Sequence, residues 1–131
     1  MYKIMLADDE GIVIDSLKFI IEKEFKDTCE VQYAKTGRSV IELAESFRPD
    51  VAVMDIQMPE MNGIEAVSRI RASGKRYGPT VPVLAMTADA FINEQGGALS
   101  DFSGYIIKPV KPDELYAKLA GIFENQRGIH A

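Results

Sequence analysis

The chain has 131 residues, 47% hydrophobic and 27% charged, which is the length of one domain and the composition of an ordinary globular fold rather than a disordered or fibrous chain. Its net charge of −5 opposes attachment to nucleic acid or an anionic membrane through the overall field. A single cysteine, Cys29, excludes an internal disulfide and a cysteine-based metal site; no leader-like segment precedes Tyr2, and no apolar run nears the roughly 20 residues of a membrane span, so a cytoplasmic protein is expected.

Five short apolar runs alternate with segments of helical period. Tyr2–Ala7 (YKIMLA) predicts the first strand, and Asp8, Asp9 and Glu10 follow it. Ile14, Leu17, Ile21 and Phe25 then make a helical stripe. Cys29 reads as a small apolar filler before the second run, Glu30–Ala34 (EVQYA). Val40, Leu43 and Phe47 mark the next helix, which Pro49 should stop. Val51–Asp55 (VAVMD) predicts a third strand that ends in a lone acid and runs into the turn QMPEMNG. Gly74 and Pro79 punctuate the chain before the fourth run, Pro82–Thr87 (PVLAMT).

A helix is expected between Asp89 and Gly104, short or ending at Gly96 and Gly97, since each glycine costs about 1 kcal/mol against alanine in a helix interior. Gly104–Lys108 (GYIIK) predicts the fifth strand, and Pro109 after it is a candidate for a cis peptide. Pro112, Asp113 and Glu114 open the last helix, whose stripe is Leu115, Leu119 and Ile122 before the polar tail ENQRGIHA. Strands alternating with helices in this way imply an α/β fold with a doubly wound parallel sheet. One domain over 1–131 is expected, with a core of about 2–124.

In such a sheet, ligands bind beyond the carboxyl ends of the strands. Those ends carry Asp8, Asp9 and Glu10, then Asp55, then Thr87 with Ala88, then Lys108 with Pro109. If the first and third strands are neighbours, the acids converge on one crevice. Carboxylates a few Å apart repel unless a cation offsets them. Oxygen ligands without cysteine or histidine suit Mg²⁺, which keeps several waters and favours phosphate oxygens. Taken alone, Asp-Asp-Glu reads as well as a helix N-terminal cap, Thr87 as a turn cap and Lys108 as a surface lysine. Their joint placement at strand ends favours phosphate chemistry.

The motifs MLADDE, MDIQMPEMNG, MTA and YIIKP, in that order and each at a strand end, resemble the receiver domain of two-component response regulators over Tyr2 to about Phe123. The resemblance implies a five-stranded doubly wound sheet in the order 2-1-3-4-5. It also implies roles for single residues. Asp55 matches the phosphoacceptor; Asp9 matches a direct ligand of Mg²⁺ (or Mn²⁺), joined by Asp55, by the main-chain carbonyl of Gln57, and by Asp8 directly or through water. Thr87 matches the switch hydroxyl, Tyr105 the switch aromatic and Lys108 the lysine that contacts the phosphoryl group.

The implied partners are a sensor histidine kinase or a histidine phosphotransfer protein, with homodimerisation through the fourth helix, fifth strand and fifth helix on phosphorylation. Met58, Pro59 and Gly63 would shape the loop beside the metal, and Gln57 and Ala88 would flank the site. Met1 leading straight into the first strand suggests an N-terminal receiver, complete in itself or followed by an output domain. SDFSGY stands where many relatives carry a Gly-Ala pair, which bears on the fourth helix.

Three alternatives compete. An aspartyl-phosphate phosphatase wants a second acid two residues after the nucleophile, where this chain has Gln57. A flavodoxin-like electron carrier wants a hydroxyl- and glycine-rich phosphate loop, where ADDEG would repel phosphate. A receiver serving only as an interaction or dimerisation module would take up no phosphate.

Overall fold

Alternation along the strands divides the apolar side chains between two faces of one sheet. The computed structural model describes residues 1–25, 27–58, 61–73, 81–88 and 102–130, with side chains up to 125. The elements are β1 (Tyr2–Ala7), α1 (Gly11–Glu24), β2 (Cys29–Ala34), α2 (Gly37–Phe47), β3 (Val51–Asp55), α3 (Gly63–Arg71), β4 (Val83–Thr87), β5 (Gly104–Ile107) and α4 (Pro112–His130). Every pairing is parallel and the order is β2-β1-β3-β4-β5. The helix expected around Gly96 and Gly97 lies outside the described residues, as do Pro59, Gly74 and Pro79.

On one face, Met5, Ala7, Ala52, Met54, Val83 and Ala85 pack with Val40, Ala44, Ala66, Val67 and Ile70 of α2 and α3. On the other, Ile4, Leu6, Val53, Leu84, Met86 and Ile106 pack with Ile14, Leu17, Ile21, Leu115 and Leu119 of α1 and α4. The three central strands are buried on both sides, which is why they read as continuous apolar runs. β2 is an edge strand with Glu30, Gln32 and Tyr33 exposed, so its run is weaker. At the far end of the sheet Tyr2 stacks on Phe123 at 3.9 Å between ring centroids, and Phe25 meets Phe123 edge-on at 5.8 Å.

The last helix departs from expectation in two ways. Phe123 rather than Ile122 completes its buried stripe, because Phe123 reaches Tyr2 while Ile122 is half-buried. The polar tail also continues the helix to His130; residues such as Glu124, Gln126 and Arg127 are good helix formers and need no apolar face to extend it.

Local chemistry sets the ends of the inner helices. The Thr36 hydroxyl accepts from Ser39 N at 3.0 Å and the Asn62 side-chain Oδ1 accepts from Glu65 N at 2.9 Å, capping α2 and α3. Arg48, left-handed at φ 51°, ends α2 before Pro49. α1, by contrast, has Glu10 at its cap position with no side-chain cap bond. Asp-Asp-Glu is therefore not spent on capping that helix.

Candidate functional site

Asp8, Asp55 and Lys108 each stand two residues beyond a core side chain of one cluster, namely Leu6, Val53 and Ile106. Strand alternation therefore turns all three to the α1–α4 face at the carboxyl edge of β1, β3 and β5. The ladder persists beyond the strand ends: Asp8 N donates to Ala34 O at 3.2 Å and Lys108 N to Thr87 O at 2.8 Å. Asp8 is wholly buried and Asp55 is 4% exposed.

The two acids are held alike. In each, one carboxylate oxygen accepts from the amide two residues on, Asp8 Oδ1 from Glu10 N and Asp55 Oδ1 from Gln57 N, both at 2.9 Å. The remaining oxygens share one ammonium: Lys108 Nζ donates to Asp8 Oδ2 at 3.0 Å and to Asp55 Oδ2 at 3.1 Å. The Lys108–Pro109 peptide is cis, as the X-Pro bond permits.

Burial raises the Asp8 pKa above the usual aspartate value; the Glu10 amide and Lys108 oppose the rise and the Asp55 charge adds to it. For Lys108, burial alone would lower the pKa, but hydrogen bonds and charges from Asp8 and Asp55 outweigh it and the ammonium sits above the usual lysine value. Lys108 is thus a fixed cation. Two carboxylates against one ammonium leave the crevice with excess negative charge.

That excess lies next to an open acidic rim. Asp9 and Glu10 are exposed, and with Asp8 they place carboxylate oxygens within 4.8 Å of one another. Hard oxygen donors, a buried anionic floor and access for water match what a Mg²⁺ ion needs, and the residues present fit it. Asp55 joins them through Lys108, and Gln57 is exposed beside it.

Thr87 and Tyr105 fall on the other face. Thr87 is fully buried two residues beyond Ala85, and Tyr105, paired with Ala85 across the ladder, is half-buried against the α2–α3 cluster. They are therefore diagonal neighbours on adjacent strands. Met58 is buried in the same cluster, Met61 is half-buried against it and Ala88 is exposed. In SDFSGY, Phe102 is buried and Ser103 exchanges bonds with Val83, its N donating to Val83 O at 2.8 Å and its Oγ accepting from Val83 N at 3.3 Å.

The amides of Glu10 and Gln57 are the site members that the sequence did not single out. Their signal was present, since aspartate commonly accepts from the backbone two residues on.

Residues 4–120 match the family model described as response regulator receiver domain. The chain is 37% identical over 113 residues to an uncharacterized 14.6 kDa protein from the sodA1 3′ region of Leptolyngbya boryana, covering 86% of this chain and 82% of that one. It is 30% identical to the transcriptional regulatory protein YdfI of Bacillus subtilis, over 88% of this chain and 52% of the regulator. It spans about half the length or less of several such regulators. Among solved structures it is similar to the receiver domain of the sensor histidine kinase PA1611 of Pseudomonas aeruginosa, with magnesium coordinated in its active-site cleft, at TM-score 0.78 and 27% identity over 90% of this chain and 93% of that one. With that match, this sheet order and these groups at the strand ends, the chain belongs to the response regulator receiver domain family.

Proposed function

We propose that the chain is a phosphorylation-controlled switch in which Asp55 takes a phosphoryl group from a phosphohistidine on a sensor histidine kinase or histidine phosphotransfer protein. The observation that carries this reading is the shared grip of Lys108 on Asp8 and Asp55 at the open end of the sheet. Such a grip sets Asp55 against a fixed cation and aims it, as a nucleophile needs. The Asp55 carboxylate attacks phosphorus in line, the phosphorus–nitrogen bond breaks, and its electron pair returns to the imidazole of the donor.

Lys108, already placed between the acids, follows the charge that develops on the phosphoryl oxygens. The Gln57 amide holds the other carboxylate oxygen still while the bond forms. A bound Mg²⁺ or Mn²⁺, held by Asp9, Asp55, the Gln57 carbonyl, and Asp8 directly or through water, would neutralise the phosphoryl oxygens. The product is an acyl phosphate that adds roughly 1 to 2 negative charges and three acceptor oxygens to the crevice.

The readout is a local change with a wider consequence. Thr87 turns its hydroxyl to a phosphoryl oxygen, and Tyr105 turns into the space beside it. That alters the surface around β5 and α4, through which phosphorylated copies pair or reach an output domain, with transcriptional control as the output by analogy with the longer relatives. The protein donor fits beside the nucleophile, where an apolar groove of about 520 Å³ runs between Ile12, Val13, Leu17 and Ile20 of α1 and the Lys108–Val110 turn. No helix among the described residues is long and apolar enough to cross a membrane, in keeping with a cytoplasmic regulator.

Intact-mass spectrometry after incubation with a small phosphodonor and Mg²⁺ tests the reading. One phosphoryl group on the wild type and none on Asp55→Asn is expected. Equal uptake by both would move the acceptor elsewhere; no uptake by either would leave a phosphorylation-independent interaction module.

A further inference from the structure

The loop after Asp55 is gripped from two sides, and only one grip belongs to its own strand and helix. At its end, Gly63 N donates to Ile56 O at 3.1 Å, and a Cβ on Gly63 would fall 2.6 Å from Asp55 O and 2.8 Å from Ile56 Cα. The second grip comes from a different helix. Gly37, the buried first residue of α2, lies so close to Met61 that a Cβ there would fall 2.5 Å from Met61 O, 2.6 Å from its Cβ and 2.8 Å from its Cγ. Real Cβ atoms do not make such contacts, so any side chain at this position forces one of the two parts to move.

The helix is the part that holds. α2 is anchored by the Thr36 cap on Ser39 and by the buried Val40, Ala44 and Phe47. Met61 is half-buried in a connecting loop, and the nearest of the three contacts is to its backbone oxygen, which no rotamer change can withdraw. We infer that Gly37 is a positioning residue for phosphoryl acceptance: the bare backbone at the start of α2 sets where Met61 and the nearby Gly63 lie, and through the packing of Gly63 on Asp55 and Ile56 it sets the Gln57 amide that orients Asp55. The path is short, because Gly63 N donates to Ile56 O and the next residue, Gln57, donates its amide to Asp55 Oδ1. A displacement at Met61 is carried through Gly63 to Ile56 and so to the Gln57 amide next to it.

The inference rests on the phosphoacceptor reading for its kinetic arm but not for its structural arm. Gly37→Ala should lower the rate constant for autophosphorylation by a small phosphodonor about tenfold, since sub-ångström misplacement of an attacking group carries costs of this order. The donor concentration giving half-maximal rate should stay near that of the wild type. Far-UV circular dichroism and thermal unfolding establish that the variant is folded at the assay temperature. In the amide NMR spectrum the Gln57 resonance should shift, more than those of α1 or α4, with or without phosphodonor.

Gly37→Ala/Met61→Gly, which removes two of the three contacts, should recover part of the rate and return the Gln57 resonance toward its wild-type position. A folded Gly37→Ala protein with wild-type rate and an unmoved Gln57 amide would overturn the inference, as would a rate loss with the Gln57 resonance unmoved. If the wild type takes up no phosphate at all, the function proposed above fails, and the Gln57 resonance still decides whether Gly37 sets the loop.

Discussion

At the scale of single residues, Lys108 is the hinge of the electrostatics. It is the cation that both buried acids contact, through hydrogen bonds of 3.0 and 3.1 Å, and its side chain is only 22% exposed. Lys108→Met keeps the stem and removes the charge, leaving Asp8 and Asp55 beside each other in a largely buried crevice with no cation between them. Metal-free protein should lose about 2 kcal/mol by urea unfolding, less than the roughly 3 to 5 kcal/mol for breaking a fully buried pair, because some solvent reaches the ammonium. The pH dependence has a definite sign. The folded-state pKa of Lys108 is raised, so its contribution is complete below the ordinary lysine value of about 10.4 and is lost as pH climbs through the raised value. The stability gap between wild type and Lys108→Met should therefore stay constant through neutral pH and close in the alkaline range. A gap that closes in the neutral range would contradict the assignment of this charge.

At the scale of elements, strand ends and helix ends do different work. At the ends of β1, β3 and β5 the functional group stands two residues after a core side chain, in the last position of the strand or the first beyond it, so alternation alone aims Asp8, Asp55 and Lys108 together. Helices carry fewer constraints where they face solvent. Gly121 is exposed inside α4, and a Cβ there would meet nothing within 4 Å. Gly121→Ala should raise stability by about 0.5 to 1 kcal/mol, seen as a higher thermal midpoint, with phosphoryl uptake unchanged. A fall in the midpoint would show that the position makes contacts beyond this helix. The contrast with Gly37 and Gly63 is steric: the same substitution relieves backbone freedom in one place and drives a methyl into backbone atoms in the others.

At the scale of the whole molecule, five parallel strands bring groups 100 residues apart in the chain, Asp8 and Lys108, to hydrogen-bond distance. A ligand that binds only this assembled crevice must stabilise the fold as a whole. Mg²⁺ at 100 times its dissociation constant should add about 2.7 kcal/mol to wild-type stability relative to protein in EDTA. Asp9→Asn and Asp55→Asn should lose most of that increment in the same unfolding measurement. An undiminished increment in both would place the ion elsewhere.

Much of this was legible before any coordinates. Periodicity located the five strands and the helices α1, α2 and α4 to within a few residues, and the acids, threonine and lysine at strand ends named the crevice. Those signals are local: a run of two-faced burial or a helical stripe is written in consecutive residues, and a strand end is where the run stops. Phe123 was missed because its partner, Tyr2, lies at the other end of the chain.

What the sequence by itself determined is therefore the set of elements and the chemical groups at their ends. Tertiary structure alone decided that one ammonium serves two acids, that Asp-Asp-Glu leaves α1 uncapped, and that Gly37 touches the loop after Asp55. The physical reason is that charge sharing, desolvation and steric exclusion depend on distances across the sheet, which no spacing along the chain encodes.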